Sequence, residues 1–299
     1  MKADRRKKIL VIGAGGNLGF CLARFLSGKY EVHSTVHNYC PEGLNAQRLD
    51  ITNRGAVEAM FDKIKPDAAV NLSALADANV CEKKPDKARL VNVDGAENVA
   101  RACRRSGDIY LVHYSTDLVF DGTCGPYSED DAVNPVNVYG ATKAESESAV
   151  ISSHENSAIL RTAIVYGRGS GKRPNFFEFL IAQAQSGNGA KIFNNEYRSF
   201  LYADDSANAV AELIDSSLTG VFHAGGDERL NRYEFVTKML FYFGLPGDNF
   251  EPIRIGDLAE QAPRPPDCSL NSAKLKSKTG WRPSSFEQGM ERFKQSLGL

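Results

Sequence analysis

The glycine spacing at the end of the first apolar run limits this chain more than any other feature. Lys8-Ile9-Leu10-Val11-Ile12 runs straight into Gly13-Ala14-Gly15-Gly16-Asn17-Leu18-Gly19, and residues 16–27 carry apolar side chains at i, i+3 and i+4. A buried strand therefore turns into a helix inside one glycine-rich loop. Read as G-x-G-x-x-G the loop fails, because Leu18 occupies the last position; read through Gly13, Gly16 and Gly19 it is G-x-x-G-x-x-G. Backbone without a Cβ turns tightly and lets a pyrophosphate approach, while the helix N-terminus offers unpaired N–H groups and partial positive charge. Gly13, Gly16, Asn17, Leu18 and Gly19 are thus expected to hold the phosphates of a dinucleotide. The plainer reading of the same residues is a strand-to-helix turn in which Gly19 is a packing contact.

The first half repeats this rhythm. Short β-branched runs at 8–12, 31–36, 68–72, 109–114 and 158–162 predict five buried strands. Helical spacing at 16–27, 52–64, 85–106 and 135–153 fills the gaps, with Thr52 and Asp86 as expected caps. Alternation at this period means right-handed crossovers and a parallel sheet covered on both faces. The expected fold is α/β, a Rossmann-type doubly wound parallel sheet over residues 1–165. A smaller C-terminal α/β lobe over 166–299 follows, with strand-length excursions back into the sheet. Gly167-Arg168-Gly169-Ser170-Gly171-Lys172-Arg173-Pro174 reads as the linker; beyond it helices are expected at 175–186, 204–217, 231–243 and 285–297, with a strand at 220–224. In open α/β sheets the ligand lies outside the carboxyl ends of the strands, so the second lobe would roof that crevice and choose the substrate.

Charge and cysteine usage narrow the function classes. Lys and Arg total 36 against 37 Asp and Glu, so no field concentrates a polyanion and nucleic-acid binding is not expected. The six cysteines (Cys21, Cys40, Cys81, Cys103, Cys124, Cys268) contain no C-x-x-C pair, which points to reduced thiols in the cytoplasm rather than zinc or a disulfide framework. The basic opening, Met1 to Lys8, precedes an apolar stretch that Gly13 breaks after four residues, short of the ~7–15 of a signal h-region. No run approaches the ~18 apolar residues of a membrane span. The five histidines show no metal-ligand spacing, and His113 reads as a core residue.

The cofactor type is read from the end of the second strand. An NAD site usually carries an acid there for the ribose hydroxyls, whereas this chain has Ser34-Thr35-Val36-His37-Asn38. A missing carboxylate no longer repels a 2′-phosphate, so NADP is expected, with NAD as the alternative and His37 near that phosphate. Asp50-Ile51 is expected against the adenine, although Asp50 also suits a helix start beside Thr52. Leu72, Ser73 and Ala74, at the carboxyl end of the third predicted strand, are expected to wall the cofactor.

Tyr139 and Lys143 form Y-x-x-x-K, whose i, i+4 spacing puts both side chains on one helix face. Their helix follows the fourth predicted strand, which ends at Tyr114-Ser115-Thr116-Asp117 beside the crevice. Thr116, Tyr139 and Lys143 are therefore expected to converge. A phenol of free pKa ~10, lowered by a neighbouring ammonium, suits proton donation to a developing alkoxide. The Thr116 hydroxyl would hold the carbonyl oxygen.

Val112-His113-Tyr114-Ser115-Thr116-Asp117, Val119-Phe120-Asp121-Gly122-Thr123, Pro126-Tyr127, Glu129-Asp130 and Asn137-Val138-Tyr139-Gly140-Ala141-Thr142-Lys143 make the chain resemble the extended short-chain dehydrogenase/reductases from Ile9 to Trp281. Within them it is most similar to the dTDP-4-dehydrorhamnose reductase family. The resemblance implies that Tyr139 is the general acid, that Lys143 orients it and the cofactor ribose, and that Thr116 contacts the keto group. It also implies a nucleotide-sugar substrate touched by Thr116, Asp117, Leu118, Ile164, Arg198 and Arg264, and a homodimer; no membrane association and no metal are expected from the absence of an apolar run and of metal-ligand spacing noted above. Leu118 stands where dehydratases of the superfamily carry Glu, which points away from water elimination. It also stands where the reductases usually carry Tyr, and Ala163-Ile164 lies where Trp is common. The substrate is accordingly read as a 4-keto-6-deoxyhexose on a nucleoside diphosphate, not assigned to the rhamnose precursor. Arg198-Ser199-Phe200-Leu201 and Ala262-Pro263-Arg264-Pro265 also resemble segments of nucleotide-sugar epimerases and of the regulatory β subunits of methionine adenosyltransferase. A cofactor-binding subunit without essential chemistry is therefore the alternative to an enzyme.

Overall fold

The computed structural model describes residues 5–171, 174–258 and 261–299. Lys172 and Arg173 of the expected linker, and Met1 to Asp4 of the basic opening, lie outside the described residues. Seven parallel strands form the central sheet: β1 Lys8–Ile12, β2 Glu31–Val36, β3 Ala46–Arg48, β4 Ala68–Asn71, β5 Tyr110–Thr116, β6 Ser157–Thr162 and β7 Gly220–Ala224. Their spatial order is 3-2-1-4-5-6-7. β1 pairs with β2 on one side (Ile9 opposite Val32) and with β4 on the other (Ile9 opposite Ala68), so the winding direction reverses between β1 and β4. This is a Rossmann-type doubly wound sheet.

The strands form where apolar side chains run without interruption, because a parallel sheet is covered on both faces. Ile9, Leu10, Val11 and Ile12 are all buried, with odd and even residues entering opposite core layers. One layer packs Ile9 and Val11 against α1 (Asn17–Ser27); the other packs Leu10 and Ile12 against α2 (Arg54–Ile64), α3 (Gly95–Arg105) and Val150 of α4 (Val138–Ser153). A third apolar cluster, built on Tyr166, Phe177, Phe200, Phe235 and Phe293, forms the centre of the C-terminal elements. Here α5 (Phe176–Gln185), α7 (Arg232–Phe243) and α8 (Phe286–Leu297) each begin with a capping box, from Asn175 with Glu178, Asn231 with Glu234, and Ser285 with Gln288. These reciprocal side-chain bonds satisfy two orphan N–H groups per helix.

The chain crosses back into the first layers after Thr162. α6 (Ala203–Ser216) lies in the same apolar cluster as α1, and β7 pairs with β6 in parallel from Gly220 opposite Ala158 to Ala224 opposite Thr162. Trp281 is fully buried in that cluster, and its indole N–H donates to Asp205 O at 2.8 Å.

Several local expectations are corrected. Asn53, not Thr52, caps α2 by accepting from Ala56 N at 3.0 Å; Thr52 instead donates its N–H and hydroxyl to Asp50. Asp86 lies in the first turn of a short helix whose N-cap is Lys84, and makes no side-chain cap. The single helix expected over 85–106 is interrupted by a π-helical turn at Leu90–Asp94. Among the described residues no helix is long and apolar enough to cross a membrane.

Candidate active site

A crevice of about 750 Å³ opens at the carboxyl ends of the strands where the winding reverses. The glycine loop forms its floor, and its glycines are needed for different reasons. Gly13 has a φ of +94°, and a Cβ there would meet Ser73 N at 2.8 Å. A Cβ on Gly19 would lie 2.3 Å from Gly13 O, so only glycine lets α1 press onto the end of β1. A Cβ on Gly15 would lie 2.4 Å from Tyr39 O. Gly16 differs, since its nearest atom would be Gly13 O at 3.7 Å; a methyl there would project into the crevice instead of into the protein. Gly16 is the N-cap of α1, no side chain caps that helix, and its first turn holds no acid. Such an N-terminus is open to an anion, so the residues present fit a dinucleotide phosphate.

Every residue expected to bind the cofactor lines this crevice: Gly13, Gly16, Asn17, Leu18, Gly19, His37, Asp50, Ile51, Leu72, Ser73, Ala74, Tyr139 and Lys143. Asp50 lines the crevice and accepts two hydrogen bonds from Thr52, just ahead of the Asn53 cap of α2. Gly15, Asn38, Tyr39, Val91 and Ser115 also line the crevice and were not read from the sequence. Within the expected linker, Ser170 ties to the first turn of α1: it donates its N–H and hydroxyl to Asn17 Oδ1 at 2.9 and 3.1 Å, and Tyr39 OH donates to Ser170 O at 3.3 Å.

Thr116, Tyr139 and Lys143 line the same crevice. Asn137 caps α4 by accepting from Gly140 N at 2.8 Å and donates to Pro263 O at 2.9 Å. A Cβ on Gly140 would stand 2.1 Å from Leu118 O, so a glycine beside Tyr139 is what brings the start of α4 against the Thr116–Leu118 turn. Asn92, in the π-helical turn, bonds Leu75 N and O and Thr142 Oγ1, fixing α4 to the segment after β4.

The electrostatics depart from expectation at Tyr139. Burial first, then the charge of Asp117, pushes its phenol above the ordinary value, against the effect of a hydrogen bond with Thr116. Lys143 is itself weakened as a cation, because burial pushes its amine down to about 8 while the Glu147 carboxylate acts in the other direction. Its ammonium donates to Tyr114 O at 2.7 Å. Tyr139 is consequently held as a protonated phenol.

The residues expected on the substrate side divide differently. Thr116 lines the crevice, whereas Asp117, Leu118, Ile164, Arg198 and Arg264 do not. Asp117 is buried, accepts from Thr116 Oγ1 at 3.0 Å, and its carboxyl is pushed up to about 6 by burial against the pull of Arg198. The expectation that Arg198 touches the substrate is corrected by its surroundings. It is 1% exposed, its Nε is 3.2 Å from Asp117 Oδ2, and its terminal nitrogens donate to Tyr197 O, Glu196 Oε1 and Pro265 O. Leu118 donates its N–H to Thr116 Oγ1 at 3.2 Å, and Ile164 packs on the aromatic cluster. Arg264 is partly exposed beside Glu196, 3.8 Å away, and over the Phe193 ring.

Sequence and structure comparisons agree with this architecture. A family model described as RmlD substrate binding domain matches residues 7–298. Spore coat polysaccharide biosynthesis protein SpsK of Bacillus subtilis is 32% identical over 290 residues, covering 96% of this chain and 97% of that protein. Methionine adenosyltransferase 2 subunit beta of Xenopus tropicalis is 30% identical over 276 residues, covering 90% and 81%. The solved dTDP-4-dehydrorhamnose reductase from Bacillus anthracis in complex with NADP is 28% identical with a TM-score of 0.86, covering 96% of this chain and 98% of that one. The chain therefore belongs to the RmlD substrate-binding-domain family, among the extended short-chain dehydrogenase/reductases.

Proposed function

We propose that the protein is an NADPH-dependent reductase of a keto sugar carried on a nucleoside diphosphate, of the 4-keto-6-deoxyhexose class. The observation that carries this reading is the convergence of Thr116, Tyr139 and Lys143 on the same crevice as the uncapped N-terminus of α1. When bound, the dinucleotide supplies a hydride at its nicotinamide ring. Gly13, Gly16 and the first N–H groups of α1 hold its phosphates, while His37 and Asp50 face its adenosine end. The Thr116 hydroxyl, turning its hydrogen from Asp117 toward the crevice, aligns the carbonyl oxygen, and Tyr139, kept protonated by its burial, gives that oxygen a proton. Lys143 orients Tyr139 and the ribose. Asp117 acts from behind Thr116, held by Arg198, and Arg264 with Leu118 and Ile164 borders the sugar nucleotide. Residues 1–165 are the dinucleotide lobe and 166–299 the substrate lobe, with α6 and β7 returning to the first.

The test is turnover on a panel of nucleotide-linked keto sugars with NADPH. Tyr139→Phe should lower kcat by ~10²–10⁴, the usual share of a general acid, with NADPH affinity within a few-fold of wild type. Equal turnover by that variant refutes the assignment. A second reading, a cofactor-binding regulatory subunit, is favoured by the similarity to methionine adenosyltransferase 2 subunit beta. Cofactor-dependent co-purification of a stoichiometric partner, without turnover of any keto sugar, would select it.

A further inference from the structure

The reading of Lys143 as the partner of Tyr139 leaves the buried histidine beside it unexplained. His113 sits in the middle of β5 with no accessible surface. Its Nδ1 is 3.3 Å from Asn71 Nδ2, and its Nε2 is 3.0 Å from Ser146 Oγ and 3.2 Å from Lys143 Nζ. One fixed donor decides which ring nitrogen carries the proton. The backbone N–H of Ser73 lies 3.1 Å from Asn71 Oδ1 and has only a hydrogen to offer. The Asn71 amide is thereby oriented, oxygen toward Ser73 and NH2 toward His113. An NH2 group donates and does not accept, so Nδ1 is the acceptor and the ring proton is on Nε2.

From there the chain of bonds runs one way. Nε2–H donates to Ser146 Oγ, and the Ser146 hydroxyl donates to Lys143 O at 2.7 Å. A crevice-wall residue, Ser73, is thus linked through Asn71, His113 and Ser146 to the backbone of the residue that faces Tyr139. The same tautomer leaves Nε2 with no lone pair for the Lys143 amine 3.2 Å away. From β5 the amine faces this N–H and the Tyr114 carbonyl. On its own helix it has Tyr139 and Glu147 one turn to either side, and Glu147 is engaged by Arg161 of β6 (Nη2 to Oε2 2.7 Å) and by the Ser115 hydroxyl. Among the described residues, Tyr114 O is left as the hydrogen-bond acceptor for the ammonium.

We propose that His113 is a positioning residue for Lys143: fixed as its Nε2–H tautomer by Asn71, it denies the ammonium an acceptor inside the protein, turns its remaining hydrogens toward the crevice and eases loss of its proton. The inference rests on the reductase reading of Lys143. Burial pushes the Lys143 amine down, and burial together with the Lys143 charge holds the His113 imidazole well below its ordinary value, so the ring is neutral throughout the working range.

The experiment reads the ring and the amine directly, in the full-length protein with labelled histidine and lysine and without substrate. Nitrogen-15 NMR of His113 should show a neutral ring with the proton on Nε2 from about pH 6 to 9, and the Lys143 ε-carbon should titrate near pH 8. His113→Gln, which can offer an amide oxygen to the amine, should raise that midpoint by about one unit or more, a tenfold gain in proton affinity. Asn71→Asp keeps the ring but turns its proton to Nδ1, and should raise the Lys143 midpoint with a visible change of tautomer. A wild-type ring protonated on Nδ1, or a Lys143 midpoint that stays put in a folded variant, overturns the proposal. If His113→Gln does not fold, the wild-type tautomer and Asn71→Asp decide. Neither readout involves reduction of a sugar, so its failure leaves the reductase reading standing, and failure of Tyr139→Phe to lose turnover would leave the tautomer untouched.

Discussion

Replacing Gly16 and Gly19 separately by alanine separates two demands that the glycine loop meets at once. At Gly19 the new methyl would stand 2.3 Å from Gly13 O, 2.9 Å from Ala14 Cα and 3.0 Å from Gly13 C. All three are backbone atoms, and the first is about 1 Å inside ordinary contact, so α1 must move off β1. Overpacking of this kind costs about 1–3 kcal/mol. A backbone displacement belongs at the upper end, and the better helix propensity of alanine returns about 1 kcal/mol. The net loss is then about 2 kcal/mol, or ~4 °C in Tm at the ~2 °C per kcal/mol of a long chain. At Gly16 the backbone, φ −79° and ψ 162°, is open to any residue, and the nearest atom is 3.7 Å away. Alanine is a poorer N-cap than glycine by several tenths of a kcal/mol, but its stiffer unfolded chain returns about 0.4–1 kcal/mol, so stability should hold. The Gly16→Ala methyl instead enters the space where a phosphate meets the first N–H groups of α1. Loss of one charge-assisted hydrogen bond, about 1.5–3 kcal/mol, weakens NADPH binding ~10–150-fold. Thermal melts and NADPH fluorescence titrations read the two effects. If Gly16→Ala melts as low as Gly19→Ala, or binds NADPH within threefold of wild type, the division of labour is wrong.

The buried pair of Arg161 and Glu147, each about 5% exposed, gives a second expectation. Arg161→Met alone should lower the unfolding free energy by about 3–5 kcal/mol by stranding a carboxylate, and adding Glu147→Leu should recover most of it; equal losses in the single and double variants, measured in urea, would rule out the pair as the cause. A third concerns Asp117, whose carboxyl is pushed from 3.8 up to about 6 on folding. A raised folded value means that the stabilisation is full below the unfolded value and is lost as pH rises through about 6. The stability of wild type minus that of Asp117→Asn should therefore fall between about pH 4 and pH 6 and level off above it; a difference that grows with pH across urea titrations contradicts the assignment.

What the sequence displayed follows from which interactions are local. Ile9 to Ile12 announce a strand because a sheet buried on both faces needs an unbroken apolar run, whereas Ala46–Arg48 is a three-residue, partly exposed edge strand without periodicity. The π-helical turn at Leu90–Asp94 escapes any pattern built on 3.6 residues, since its backbone bonds skip one residue further. The glycine loop and Y-x-x-x-K were readable because their chemistry lies in spacing. Arg198 was not, because its partners Glu196 and Asp117 come from two residues away and from the turn just past β5. Tyr39 was missed for a similar reason: its nearness to Gly15 and Ser170 exists only after folding. An arginine inside the buried run 157–162 must have a partner, and Glu147 supplies it from α4.

The return of the chain to its first core sets a condition on synthesis. β7, α6 and Trp281 all belong to the layers begun by β1 and α1, and Trp281 is buried in the same apolar cluster as Ile9, Val11 and Leu22. From Thr162, the end of β6, to Trp281 is 281 − 162 = 119 residues. At ~5–20 residues per second a ribosome takes about 6–24 s to make them. The β6 edge that β7 will pair stays open for the first 224 − 162 = 62 of those residues, about 3–12 s, and the part of the apolar face that Trp281 will cover stays in water to the end of the interval. A nascent chain halted before residue 281 should therefore engage chaperones and remain protease-sensitive, even though every residue of the glycine loop and of the Tyr139 helix has already emerged.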